Sequence, residues 1–434
     1  MTLALALALV SIAQPSRALT LLRDPDIEYA LGQLAAPILQ AAGLNASRTK
    51  ILVIDDRNLN AFVVDRDTIF LHSGLILKMD TPQMLQSVIA HEAAHIANGH
   101  LVRRPQNMRN ARTAAGLGTA LAAAAGAVSG NGAAAAGIAA GAQGTAQRLF
   151  LSHTRAEESS ADSAGVNYMV RAGRDPSGAV AVMNIFRGQE ALSAARQDPY
   201  ARTHPMSADR VRVLERLTAA YAGKMPPSNA DLYWFARAKG KLSAFQRSPK
   251  WTLNRAGGEG FADVGHMQQA VAWHRQSNLG KSMAAMDRAI AARPNDPFYQ
   301  ELRGQILMEN RQFDAALNAY ARAVNLAPDH PLILGSYGRA LVAQGQYAKA
   351  LQVLEKARSR DGRDARVMRD LAVAYAKSGQ NGMASLVTAE RYAMSGRLED
   401  AEIHAARASG LLPNGSGGWQ RAQDVLSAAK AARR

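Results

Sequence analysis

The sequence predicts a mainly α-helical chain with one small antiparallel β-sheet near its start and a helical α-solenoid at its end. Three observations carry that fold class. Aromatic residues make up only 6% of the 434 residues while alanine is abundant, as in helices packed through small side chains. Short β-type runs are confined to residues 51–78, and from Phe261 onward small residues recur with a period of 34. A chain of this length exceeds one ordinary core, so two folding units are expected.

Taken in order, Leu3 to Ala13 form an apolar run that Pro15 breaks, and Ser16-Arg17-Ala18 offers small residues at the offsets of a cleavage site. This predicts a signal peptide over residues 1–18 and export of the chain. The apolar run is shorter than the ~20 residues needed to span a bilayer. The runs Ile51-Leu-Val-Ile54, Ala61-Phe-Val-Val64 and Thr68-Ile-Phe-Leu-His72, punctuated by Asp, Asn and Arg, predict the strands of the antiparallel sheet. A helix then opens with Thr81 as N-cap and Pro82 at its first position, carries Met84, Leu85, Val88 and Ile89, and stops at Gly99. Residues 113–147 contain no charge and turn at Ser129-Gly-Asn-Gly132. They predict a helical hairpin, either closely packed on the protein or in peripheral contact with a membrane.

The period of 34 is carried by Ala270, Gly304, Gly338 and Ala372, again by Ser282, Ala316, Ala350 and Ala384, and by Pro294 and Pro328. Small residues at those positions let two antiparallel helices approach closely, and the proline ends the second helix of each pair. This is the tetratricopeptide (TPR) pattern, expected over residues 262–434. After Ala384 the template restarts half a repeat later, at Ala389, Ala401, Ala408 and Pro413, so one helix serves two repeats.

The net charge of +16 is spread along the chain, and no Lys/Arg run interleaved with aromatics occurs, so no nucleic-acid partner is expected. Cysteine is absent, which excludes disulfides, thiolate zinc sites and a cysteine nucleophile.

The chemistry concentrates at His91-Glu92-Ala93-Ala94-His95. Two histidines four apart on a helix project from one face and can share a zinc ion, with Glu92 beside them as general base. A catalytic zinc takes three protein ligands and leaves one open position, so a third ligand must come from elsewhere. A histidine on the same stretch would have to follow a helix-ending glycine three residues after His95. The positions concerned hold Asn98 and Leu101, so His100 is assigned to the helix end. Glu158 and Asp162 are again four apart on a later helix. Glu158 completes the metal site, and Asp162 accepts the free ring N–H of a liganding histidine. Arg155, on the same stretch as Glu158 and Asp162, is a candidate for steadying an oxyanion.

The HExxH motif followed by this ExxxD resembles the M48 family of zinc endopeptidases. Asn58-Leu-Asn-Ala-Phe62, Gly74-Leu75, His100 and Thr203-His204-Pro205 are similar to signatures of the same family. The resemblance covers roughly residues 25 to 220 and implies a gluzincin-type zinc metalloprotease domain, assigned to residues 19–250, with one zinc per chain. Together with an export signal and TPR repeats it further implies a periplasmic enzyme acting on misassembled outer-membrane proteins. It implies that the repeats serve substrates or the outer-membrane assembly machinery. It also implies that His204 lies on a loop able to approach the zinc, as an inhibitory ligand or a transition-state stabiliser. The competing expectation is a TPR scaffold whose protease domain is closed or inactive, which Glu92→Gln separates by abolishing proteolysis while sparing binding.

Overall fold

The computed structural model describes residues 20–100, 154–193, 196–205, 207–258 and 260–432. The signal peptide expected over 1–18 and the hairpin expected over 113–147 lie outside them.

The first body opens with β1 (Leu21–Leu22) and α1 (Pro25–Ala41). Asp24 caps α1 by accepting from the backbone N–H of Asp26 and Ile27, and Pro25 occupies the position where a missing N–H costs nothing. Then come β2 (Lys50–Ile54), β3 (Ala61–Val63), β4 (Thr68–His72), α2 (Ser73–Lys78) and α3 (Pro82–Ala97). The next helix, α4, covers residues 154–171.

The sheet runs in the order β1-β2-β4-β3 and is mixed, not antiparallel throughout. β1 with β2 and β3 with β4 are antiparallel, but β2 and β4 run parallel from Lys50 opposite Thr68 to Ile54 opposite His72. The reason lies in burial. Ile51, Leu52, Val53 and Ile54 are all buried, as a central strand covered on both faces requires. β3 folds back onto one edge of β4 through a turn in which Asp65 accepts from the Asp67 N–H and the Thr68 hydroxyl. The other edge of β4 remains for β2, and two reversals of direction leave them parallel. α1 and α3 cover the sheet, and Leu31, Leu34, Val53, Leu71, Leu85 and Ile89 share one core.

The second body is an array of helix pairs from Ala262–Arg275 to Gly417–Ala432. The small residues of the repeat sit where helices touch: a Cβ on Gly304 would meet the Tyr320 ring at 2.7 Å, and one on Gly338 would run into Leu354. Ser282 fits because its hydroxyl donates to the Ala270 carbonyl at 2.8 Å. The helix Asn381–Met394 packs against both Ala365–Lys377 and Leu398–Leu411, which is the sharing that the half-repeat restart predicts.

The helix Asn229–Gln246 joins the bodies. It carries two fully buried cations: Arg237 is paired on both sides, reaching Asp26 (2.7 Å) and Asp296 (2.9 Å), and Lys241 reaches Asp24 (3.0 Å) on the first body. Further along, Arg23 beside β1 binds Asp361 of the array at 2.6 Å, and Lys50 of β2 joins it at 3.0 Å. No helix among the described residues is long and apolar enough to cross a membrane.

Candidate metal centre

α3 is rigidly placed. Thr81 accepts from the Met84 N–H at 3.3 Å, and the helix ends at Asn98 and at Gly99, whose φ of +70° suits glycine. It is buried on nearly every face, because the helix Gly178–Ile185 crosses its start so closely that a Cβ on Gly178 would strike the Gln83 carbonyl. His91, Glu92 and His95 are 6%, 0% and 1% exposed.

α4 presents Glu158 and Asp162 to the same point. His91 Nε2 lies 3.1 Å from His95 Nε2 and 3.3 Å from Glu158 Oε2, and His95 Nε2 lies 3.4 Å from Glu158 Oε1. His204, at the end of the short helix Pro199–Thr203, places its Nδ1 3.2 Å from His91 Nε2 and 3.1 Å from Glu158 Oε2. His91, His95, Glu158 and His204 thus form one group whose donor atoms lie within 4.8 Å of one another.

Hydrogen bonds at the back of each ring decide what the front presents. Asp162 Oδ1 accepts from His91 Nδ1 at 3.0 Å, His100 Nδ1 lies 2.9 Å from His95 Nδ1, and the Ala61 carbonyl accepts from His204 Nε2 at 3.2 Å. With His95 as donor to His100, three imidazole lone pairs and a carboxylate converge. Such a set is held together only by a cation between its members. The spacings that involve His91 or Glu158, 3.1–3.4 Å, are close to the roughly 3.3 Å edge of a tetrahedron with bonds of ~2.0–2.1 Å, and all four donors lie within 4.8 Å, so these residues fit a zinc ion. Burial alone would lower His91, yet its bonds to Asp162 and Glu158 push it up to about 10. Burial would raise Glu158, but His204 and His91 hold it well below the usual range. Asp162 is likewise held low by His91 and Arg210 against its burial.

Of the residues expected from sequence, His91, His95, Glu158, Glu92, His204 and Asp162 come together, with Glu92 Oε1 3.3 Å from His204 Nε2. Arg155 does not join them; it is exposed. The guanidinium in the site belongs to Arg210, which binds Asp162 through Nε (2.7 Å) and Nη2 (2.8 Å) and reaches Glu158 at 3.2 Å. Two residues were missed by sequence reasoning: Arg210, and His100 as the partner of His95. The only signals were the Ser207 cap that opens Arg210's helix and the closeness of His100 to the motif. The His204 segment is tied to the sheet, since the Tyr200 N–H donates to the Leu59 carbonyl at 3.0 Å and the Tyr200 ring lies 4.6 Å from that of His204.

Residues 22–218 match the model of peptidase family M48, and residues 307–369 and 341–409 match a tetratricopeptide repeat. The chain therefore carries an M48 peptidase domain followed by TPR repeats. It is 25% identical over 362 residues to the putative beta-barrel assembly-enhancing protease of Vibrio cholerae serotype O1, a match covering 77% of this chain and 70% of that protein. To the beta-barrel assembly-enhancing protease of Escherichia coli strain K12 it is 24% identical over 346 residues, covering 77% and 69%. Among solved structures it is similar to YrrB, a TPR protein with an unusual peptide-binding site, at 17% identity and a TM-score of 0.32, over 41% of this chain and 91% of that one.

Proposed function

We propose that the protein is a zinc-dependent endopeptidase of the periplasm that hydrolyses misfolded or misassembled envelope proteins, outer-membrane proteins above all, with the TPR array engaging substrates or the assembly machinery. The observation that carries the catalytic part is the convergence of His91, His95 and Glu158 beside Glu92 in one buried group. The names of the V. cholerae and E. coli relatives support the cellular part.

His91, His95 and Glu158 would hold a zinc ion, which when bound would supply an acidified water and polarisation of the scissile carbonyl. Glu92 accepts the proton of the attacking water and returns it to the leaving amine. Asp162 and His100 fix the ring orientations of His91 and His95, and Arg210 holds Asp162. His204 stands against His91 and Glu158 and takes the Ala61 carbonyl, an acceptor that a bound substrate strand would use. It acts as a resting ligand that withdraws when substrate enters.

The test is metal content by elemental analysis with casein cleavage on wild type, Glu92→Gln, Glu158→Ala and His204→Ala. About one zinc per chain, kept in Glu92→Gln without cleavage and lost in Glu158→Ala, is the expected result. Stoichiometric zinc in Glu158→Ala overturns the ligand assignment. No zinc and no cleavage in any form leaves the TPR scaffold with a closed peptidase domain.

A further inference from the structure

A cavity of about 420 Å³ lies between the first body and the array, within the range of ligand sites. One wall is β1 with Leu21 and Leu22. The opposite wall is the array, with Glu301, Gln305, Ser336, Arg339 and Arg366. Two features of these walls are incomplete.

The first is β1 itself, which sits at the edge of the sheet. The Asp55 N–H donates to the Thr20 carbonyl at 2.9 Å, and antiparallel pairs alternate, so the backbone N–H and C=O of Leu21 point away from β2. Among the described residues no strand pairs with that edge, and an open strand edge is a template for one more strand.

The second is Glu301, which is 4% exposed. Its Oε1 accepts from the Ser336 hydroxyl at 2.8 Å, while its Oε2 has no hydrogen-bond partner among the described residues. The cations around it are committed elsewhere. Arg339 binds Asp370, Arg366 binds Asp364, Arg23 binds Glu28 and Asp361, and Lys241 binds Asp24 and Asp26. Burial pushes the Glu301 carboxyl up to about 7, with Lys241 opposing and Asp24 adding to the rise. Glu301 lines the cavity, and a buried carboxyl oxygen without a donor beside such a space is the half of a contact that a ligand completes.

We propose that this cavity receives an extended peptide segment of a partner protein, paired through its main chain with the outer edge of β1 and placing a lysine or arginine side chain on Glu301. Main-chain pairing accepts many sequences, and the buried carboxylate selects the basic ones. The site lies apart from the metal-binding group and does not depend on the peptidase reading.

The test uses the full chain in the Glu92→Gln background, so that hydrolysis does not consume the probe. The probes are two pools of fluorescein-labelled pentapeptides, acetylated and amidated, randomised except for a central lysine or a central norleucine, and binding is read by anisotropy. The lysine pool should bind at least tenfold more tightly than the norleucine pool, and Glu301→Gln should remove that preference. Leu21→Pro deletes the outward N–H at an edge position that tolerates proline, and it should weaken both pools while circular dichroism and thermal melting stay unchanged. Equal binding of the two pools, equal binding by wild type and Glu301→Gln, or no binding overturns the proposal.

Discussion

One carboxylate, Asp162, links a histidine of the metal-binding group to a buried guanidinium: its Oδ1 lies 3.0 Å from His91 Nδ1, and Arg210 grips both its oxygens at 2.7 and 2.8 Å. The ring of His91 is therefore set by a residue outside the histidine group, and that residue is set by another.

Asp162→Asn keeps the shape of the side chain but removes its charge. Metal affinity should fall by about 10–100-fold, the usual cost of losing the partner of a liganding histidine. Competition against a chelator of known affinity measures it, and an affinity equal to wild type would remove Asp162 from this role.

Arg210→Met should destabilise the fold by about 3–5 kcal/mol, because it strands two buried carboxylates without their cation. Urea unfolding with metal chelated isolates this loss from any change in metal binding. A change under about 1 kcal/mol would mean that the pair is solvated, against its burial.

His204→Ala discriminates between the two roles this histidine can hold. As a resting ligand, its loss frees the site for substrate and casein cleavage should rise. Had it stabilised the transition state, kcat would fall by about 10²–10³. We expect the rise.

Acid should loosen the contact between the two bodies. Burial alone would raise Asp361, but Arg23 and Lys50 hold it at about 2 against an ordinary value of 3.8. A carboxylate depressed on folding contributes its full stability above the unfolded value and loses it as pH falls through the folded one. The contribution from Asp361 is thus complete above about 4 and fades towards about 2. Unfolding midpoints between pH 6 and 2.5 should show an acid-dependent loss that Asp361→Asn lacks. An identical pH profile in that variant would remove Asp361 from the contact.

Most of the candidate group was legible because its residues and their partner Asp162 come in pairs four apart, and that spacing alone puts His91 with His95 and Glu158 with Asp162 on shared faces. His204 entered only through family resemblance. Arg210 was invisible because nothing in its neighbourhood says which helix it meets, and proximity in sequence favoured Arg155, which lies exposed. His100 was set aside because spacing was weighed only for direct ligands, and its contact is with a ligand's far nitrogen. The strand runs were readable, but their order was not: pairing β2 with β4 depends on which strand is most buried, a property of the assembled sheet. In the array the small residues gave the period because close helix contacts at Gly304 and Gly338 leave no room for a larger side chain.

The array meets the first body at two separated places, through Arg237 and Asp296 near its start and through Arg23 and Asp361 further along. A rod fastened at one end swings, whereas a rod fastened at two places holds its heading. The distance from any point on the array to the histidine group then becomes a fixed length, and under the proposed function the protein would act as a gauge: a chain gripped along the array would offer the peptidase only the stretch that lies that far from the grip.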